Sequence, residues 1–90
     1  MANLSLIREV LLLHHTHTDI GYTHSQPALW ELQARFIDRA IELCEDTAEA
    51  PPDERFRWTC ECTGPLLYWL NKPGSGQVDR FRACVRRGQI

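Results

Sequence analysis

Ninety residues with a formal net charge of -2 make at most one small domain with a thin core, and they carry no strong field toward nucleic acid or an anionic membrane. An apolar fraction of 43% is that of a globular chain, not a disordered one. No apolar run approaches the roughly 20 residues that span a bilayer. The N-terminus also lacks the long apolar region and cleavage site of a secretory signal, so a cytoplasmic protein is predicted.

In chain order, residues 1–8 read as a loose lead-in. Residues 9–15 read as a strand, because Val10-Leu11-Leu12-Leu13 is a continuous apolar run, the pattern of a parallel strand covered on both faces. Residues 16–25 follow as a loop in which Gly21 gives the backbone freedom. Ser25 is a plausible N-cap and Pro27 suits a first helical turn, so a long amphipathic helix is predicted from about Gln26 to about Ala48. Leu29, Trp30, Phe36, Ile37, Ala40, Ile41, Leu43 and Cys44 form its apolar stripe, which reads as core packing. Glu31 and Arg35 are spaced for an i,i+4 ion pair.

Pro51 and Pro52 end that helix. Residues 56–62, Phe-Arg-Trp-Thr-Cys-Glu-Cys, are rich in strand-forming types, and Gly64-Pro65 breaks the run. Residues 66–70 read as a short apolar helix and residues 72–76 as a loop. A last helix is predicted from about Gln77, with Val78, Phe81 and Val85 on one face. Arg86 and Arg87 fall in its last turn and Gly88 just past its end. Gln89-Ile90 reads as the start of another strand. The predicted order is β-α-β-α, an α/β class with parallel strands joined by a right-handed crossover. Two strands cannot cover both faces of a sheet, so the chain reads as the truncated opening of a larger α/β domain, with residues 1–90 as one part of it and no second domain.

The four cysteines, Cys44, Cys60, Cys62 and Cys84, read as buried reduced thiols, since no export context favours disulfides and the Cys-x-Cys spacing of Cys60 and Cys62 is short for a zinc knuckle. The chemistry gathers instead in His-His-Thr-His-Thr-Asp-Ile-Gly-Tyr-Thr-His, residues 14–24, which holds all four histidines. Sites in α/β folds form at the carboxyl ends of strands, where this stretch would lie. In an extended segment alternate side chains share a side, so His15, His17 and Asp19 could converge. Imidazole with carboxylate suits zinc, or cobalt or manganese, and an incomplete ligand set leaves positions open as catalytic metals require. His14 reads better as a packed core histidine, and His24 as part of the helix start.

This stretch, an apolar strand followed by His-x-His-x-Asp, a glycine and an aromatic, resembles the opening motif of the glycoside hydrolase family 38 α-mannosidases and their bacterial relatives. The resemblance extends through the aromatic-rich segment ending at Glu61 to Arg86-Arg87-Gly88-Gln89-Ile90, with Tyr22 standing where many relatives carry Trp, and Gly64-Pro65 where a bulky aromatic is usual. It implies a (β/α)7 barrel, His17 and Asp19 as zinc ligands, and an α-mannoside as substrate. It assigns the nucleophile, the acid/base carboxyl group and the other ligands to later residues, so no catalytic residue falls in this chain and no activity is expected of it alone. Hydrolysis would follow the retaining scheme, with the two carboxyl groups about 5–5.5 Å apart.

Two alternatives differ in class. A metal-dependent polysaccharide deacetylase would also use His and Asp ligands, but its usual early Asp-Asp pair is absent. A non-enzymatic metal-binding or oligomerising module is the other. Bare apolar surface on an incomplete sheet predicts self-association.

Overall fold

The computed structural model describes residues 6–19, 21–22, 24–72 and 76–90. The first five residues of the predicted lead-in and residues 73–75 of the predicted loop lie outside the described residues. Among those described, the regular structure is three α-helices: α1 (Gln26–Asp46), α2 (Thr63–Leu70) and α3 (Val78–Arg86), with a 3-10 turn at Pro52–Glu54.

The α1 helix begins where its sequence says it should. Ser25 is extended at the N-cap, with its carbonyl accepting the first helical bond from Leu29 at 3.1 Å, although its hydroxyl makes no capping bond, and Pro27 sits in the first turn. The buried face comprises Leu29, Gln33, Ala34, Ile37, Ala40, Ile41 and Cys44, mostly at steps of three and four. The stripe predicted from the sequence omitted Gln33 and Ala34 and included Trp30, Phe36 and Leu43, which are only partly buried. Removing side chains such as Leu29, Ile37 and Ile41 from water stabilises the fold by about 1.5–3 kcal/mol each.

The shorter helices pack on α1. Trp69 of α2 is buried, donates from Nε1 to Asp38 Oδ1 at 2.7 Å, and lies 5.5 Å from the Phe81 ring of α3. Arg80 of α3 reaches the Glu45 carboxylate, with Nε to Oε2 at 2.9 Å. Glu31 pairs with Lys72 and accepts from Tyr68 Oη at 3.0 Å, whereas the sequence spacing had pointed to Arg35. The α2 helix starts at Thr63, so Gly64-Pro65 falls inside its first turn and does not precede it; proline is tolerated there because its missing N–H would have no helical partner.

The end of α3 closes in a Schellman motif. Gly88 has φ +74°, Gly88 N donates to Val85 O and Gln89 N to Cys84 O, each at 3.0 Å. That turn brings the buried Gln89 side chain to the carboxyl end of α1.

The predicted β-α-β-α arrangement is not what forms. No strand or sheet exists among the described residues, and the (β/α)7 barrel opening expected from the sequence gives way to a helical protein. Residues 7–19 and 56–62 form no regular structure beyond one isolated parallel bridge, His15 with Thr59, with Thr59 N donating to His14 O. The physical reason lies in coverage. A continuous apolar run becomes a parallel strand only when both its faces are buried, and Val10 to Leu13 remain between 72% and 78% exposed. Instead α2 and α3 bury their apolar faces directly on α1. Among the described residues no helix is long and apolar enough to cross a membrane.

Candidate functional site

The single bridge sets the register of the site. In a parallel pair, residues two places on from a bridged pair are again neighbours on the same side. His15 opposite Thr59 therefore brings His17 opposite Glu61. His17 Nδ1 lies 2.8 Å and 3.0 Å from the two carboxylate oxygens of Glu61. His15 Nδ1 lies 3.3 Å from Glu61 Oε2, so one carboxylate holds both rings. The other nitrogen of His17, Nε2, is 3.2 Å from Asp19 Oδ1.

Each ring nitrogen of His17 thus faces a carboxylate. The imidazolium, with two N–H groups, satisfies both, and the Glu61 hydrogen bond and charge, helped by Asp19, raise the His17 pKa above its ordinary value. In return, the hydrogen bond from His17 lowers that of Glu61. His17 and Asp19 are open to solvent while Glu61 is about one-third exposed.

A cleft of about 320 Å³ opens beside this cluster, lined by His17, Asp19, Glu61, Trp30 and Trp58 among others. Trp30 stacks on Tyr68 with ring centroids 5.8 Å apart. Gly64 permits the close approach of α2: a Cβ there would come within 3.2 Å of the Trp30 ring. Gln33, buried in α1, has its side-chain amide 3.5 Å from the Thr18 carbonyl oxygen, next to the ligand-type residues.

The sequence-predicted ligands His17 and Asp19 are therefore neighbours, while His15 turns toward Glu61, and the three do not converge on one point. Among the described residues, no group of three or more His, Cys, Asp or Glu side chains is arranged to hold a metal ion. A pair is nevertheless suited to share one. Two donors on a zinc ion, with bonds of about 2.0–2.1 Å at tetrahedral angles, stand about 3.4 Å apart. His17 Nε2 and Asp19 Oδ1 are 3.2 Å apart. The donor set, a neutral imidazole with a carboxylate, fits zinc or a similar divalent ion.

The remaining histidines fall elsewhere. His14, read from the sequence as a core residue, is exposed, with its ring 6.5 Å from that of Phe56. It fails to bury because the apolar run it ends is itself uncovered. His24 lines a separate shallow cleft with Leu29 and Arg35 at the start of α1. Tyr22 is 85% exposed. The thiols divide: Cys44 and Cys84 are core residues, Cys60 is half-buried and Cys62 exposed. Burial pushes the Cys44 thiol up to about 12, so it stays protonated and inert.

Glu61 is the residue the sequence underplayed. Its only signal was its place at the end of the second strand-like run, which acquires meaning once that run is set beside residues 14–17.

No protein-family model matches this chain, and no curated protein or solved structure is significantly similar to it.

Proposed function

We propose that His17 and Asp19 are two ligands of a divalent-metal site, zinc foremost, in an α-mannosidase-like retaining glycoside hydrolase of which this chain forms the N-terminal part. The observation that carries the reading is the 3.2 Å approach of His17 Nε2 to Asp19 Oδ1 at the mouth of a tryptophan-lined cleft. The resemblance of residues 10–24 to the family 38 opening motif supplies the substrate class. A bound zinc would hold sugar hydroxyls. Trp30, partly exposed, offers an apolar ring surface against which a pyranose face packs, with the largely buried Trp58 in the wall of the cleft. This chain's part is to bind and orient; the nucleophile and the acid/base carboxyl group belong to later residues by the resemblance. The reading includes a cytoplasmic location and no nucleic acid or membrane partner.

The test is a zinc titration of the 90-residue chain followed by NMR, then addition of methyl α-mannoside. Zinc should perturb His17 and Asp19 first, and the mannoside should shift the Trp30 and Trp58 indole signals only with zinc present. His17→Ala and Asp19→Ala should each abolish both responses, and the chain alone should not turn over an aryl α-mannoside. A mannoside response insensitive to chelator would overturn the reading.

One observation favours a second, non-enzymatic reading. The exposed run from Val10 to Leu13 is a surface suited to self-association. An ordered metal-bound oligomer with no mannoside response would favour that module.

A further inference from the structure

We infer that Glu61 is the positioning carboxylate of this half-site: it holds the Nδ1–H of His17 and so presents Nε2, beside Asp19, as the donor atom. The inference rests on the reading of His17 and Asp19 as metal ligands.

Three observations carry it. First, both oxygens of Glu61 surround the same nitrogen, at 2.8 Å and 3.0 Å, so the ring is gripped at one edge. Secondly, the two nitrogens of an imidazole lie on different edges. An ion on Nε2 is therefore out of reach of a carboxylate held on Nδ1, and Glu61 supports the ligand without being one. Thirdly, Glu61 is itself steadied, because His15 Nδ1 lies 3.3 Å from Oε2 and the His15–Thr59 bridge fixes the two segments in register.

The need for such support is physical. His17 sits in an irregular segment and its side chain is 61% exposed, so packing does not fix its rotamer, and of its two carboxylate partners Glu61 is the nearer, at 2.8 Å against 3.2 Å for Asp19. A metal ligand must offer a lone pair in a fixed direction, and a carboxylate on the far nitrogen fixes the tautomer, orients the ring and raises its basicity. Asp19, two residues along the same segment, then needs only a local turn to stand beside Nε2.

The test compares the wild-type chain with Glu61→Ala, Glu61→Gln and Asp19→Ala. Two quantities are read: zinc affinity, by competition with a chromogenic chelator, and the His17 tautomer in the zinc-free chain, by long-range ¹H–¹⁵N NMR. Circular dichroism melts confirm that each variant folds. Glu61→Ala should weaken zinc by about 10- to 100-fold and shift the His17 proton toward Nε2. Glu61→Gln keeps an acceptor for Nδ1–H, so it should retain the wild-type tautomer and recover most of the affinity. Asp19→Ala should lose zinc and leave Nδ1 protonated. A Glu61→Ala chain that binds zinc like wild type, while Asp19→Ala does not, overturns the role of Glu61 and leaves the ligand pair standing. A Glu61→Gln chain as defective as Asp19→Ala makes Glu61 a ligand and overturns the positioning role. A wild-type chain that takes up no zinc overturns the ligand pair and this inference together.

Discussion

The side-chain amide of Gln89 donates to the backbone carbonyl of Cys44 at 2.9 Å, joining the last residues of the chain to the end of α1. The final carbonyls of a helix have no partner within it, and this amide, only 1% exposed, supplies one. It also donates to Phe56 O at 3.1 Å, its Oε1 accepts from Arg87 Nε at 2.7 Å, and its backbone carbonyl accepts from Trp58 N at 2.8 Å. Gln89 thereby ties α1, α3 and the segment that carries Glu61. Replacing it with Leu removes the N–H donor of Phe56 O and leaves Cys44 O with only the longer bond from Thr47 Oγ1 at 3.4 Å, at a cost of about 2–3 kcal/mol. In a chain of this size that lowers Tm by roughly 10–20 °C. Urea denaturation and a thermal melt measure both.

Gly88 should resist substitution for a purely backbone reason. Its φ is +74°, and a Cβ would meet nothing within 4 Å, so no clash enters. Gly88→Ala should destabilise by about 1–2 kcal/mol through left-handed strain alone. Gly88→Asn should cost less, since Asn adopts that region more readily. Chemical denaturation of the pair distinguishes strain from packing.

The link between α1 and α3 should weaken in acid. The hydrogen bonds and charge of Arg80 hold the Glu45 carboxyl below its ordinary value. Because the folded pKa lies below the unfolded one, the contribution is fully present above the unfolded value of about 4.3. It is lost as pH falls through the lower folded value. Both groups are substantially exposed, so the effect is small and weakens with salt. Glu45→Gln should flatten this part of the stability-versus-pH curve between about pH 5 and 3, and melts across that range at low and high salt will show it.

The run from Val10 to Leu13 should drive association. Replacing both Leu11 and Leu13 with Lys places charge within this exposed apolar run. Sedimentation velocity should show wild-type oligomers and a monomeric variant with an unchanged helical spectrum. A monomeric wild type would remove the support for the non-enzymatic reading.

The parts of the fold legible in the sequence were those decided within a few residues. Ser25 and Pro27 mark the start of α1 and Gly88 marks the end of α3, whereas α1 stops at Asp46, before the predicted Ala48 and well ahead of Pro51. Steric limits on φ and ψ and i,i+4 contacts act over that range, so the order of residues suffices to state them. The strands were misread because four consecutive apolar residues describe a segment able to be covered, not one that is covered.

Alternation along the chain places His15, His17 and Asp19 together as candidates, and the resemblance singles out His17 and Asp19. Glu61 could not be added to them, and Gln89 could not be matched to Cys44, because these partners stand 44 and 45 residues apart. Their meeting depends on how α2 and α3 settle on α1 and on the single register of His15 with Thr59. The sequence by itself determined the start of α1, the end of α3 and the clustering of histidines with an aspartate in residues 14–24. Only the tertiary structure decided that the apolar run stays exposed and that a distant carboxylate grips His17, because burial and long-range register are properties of packing.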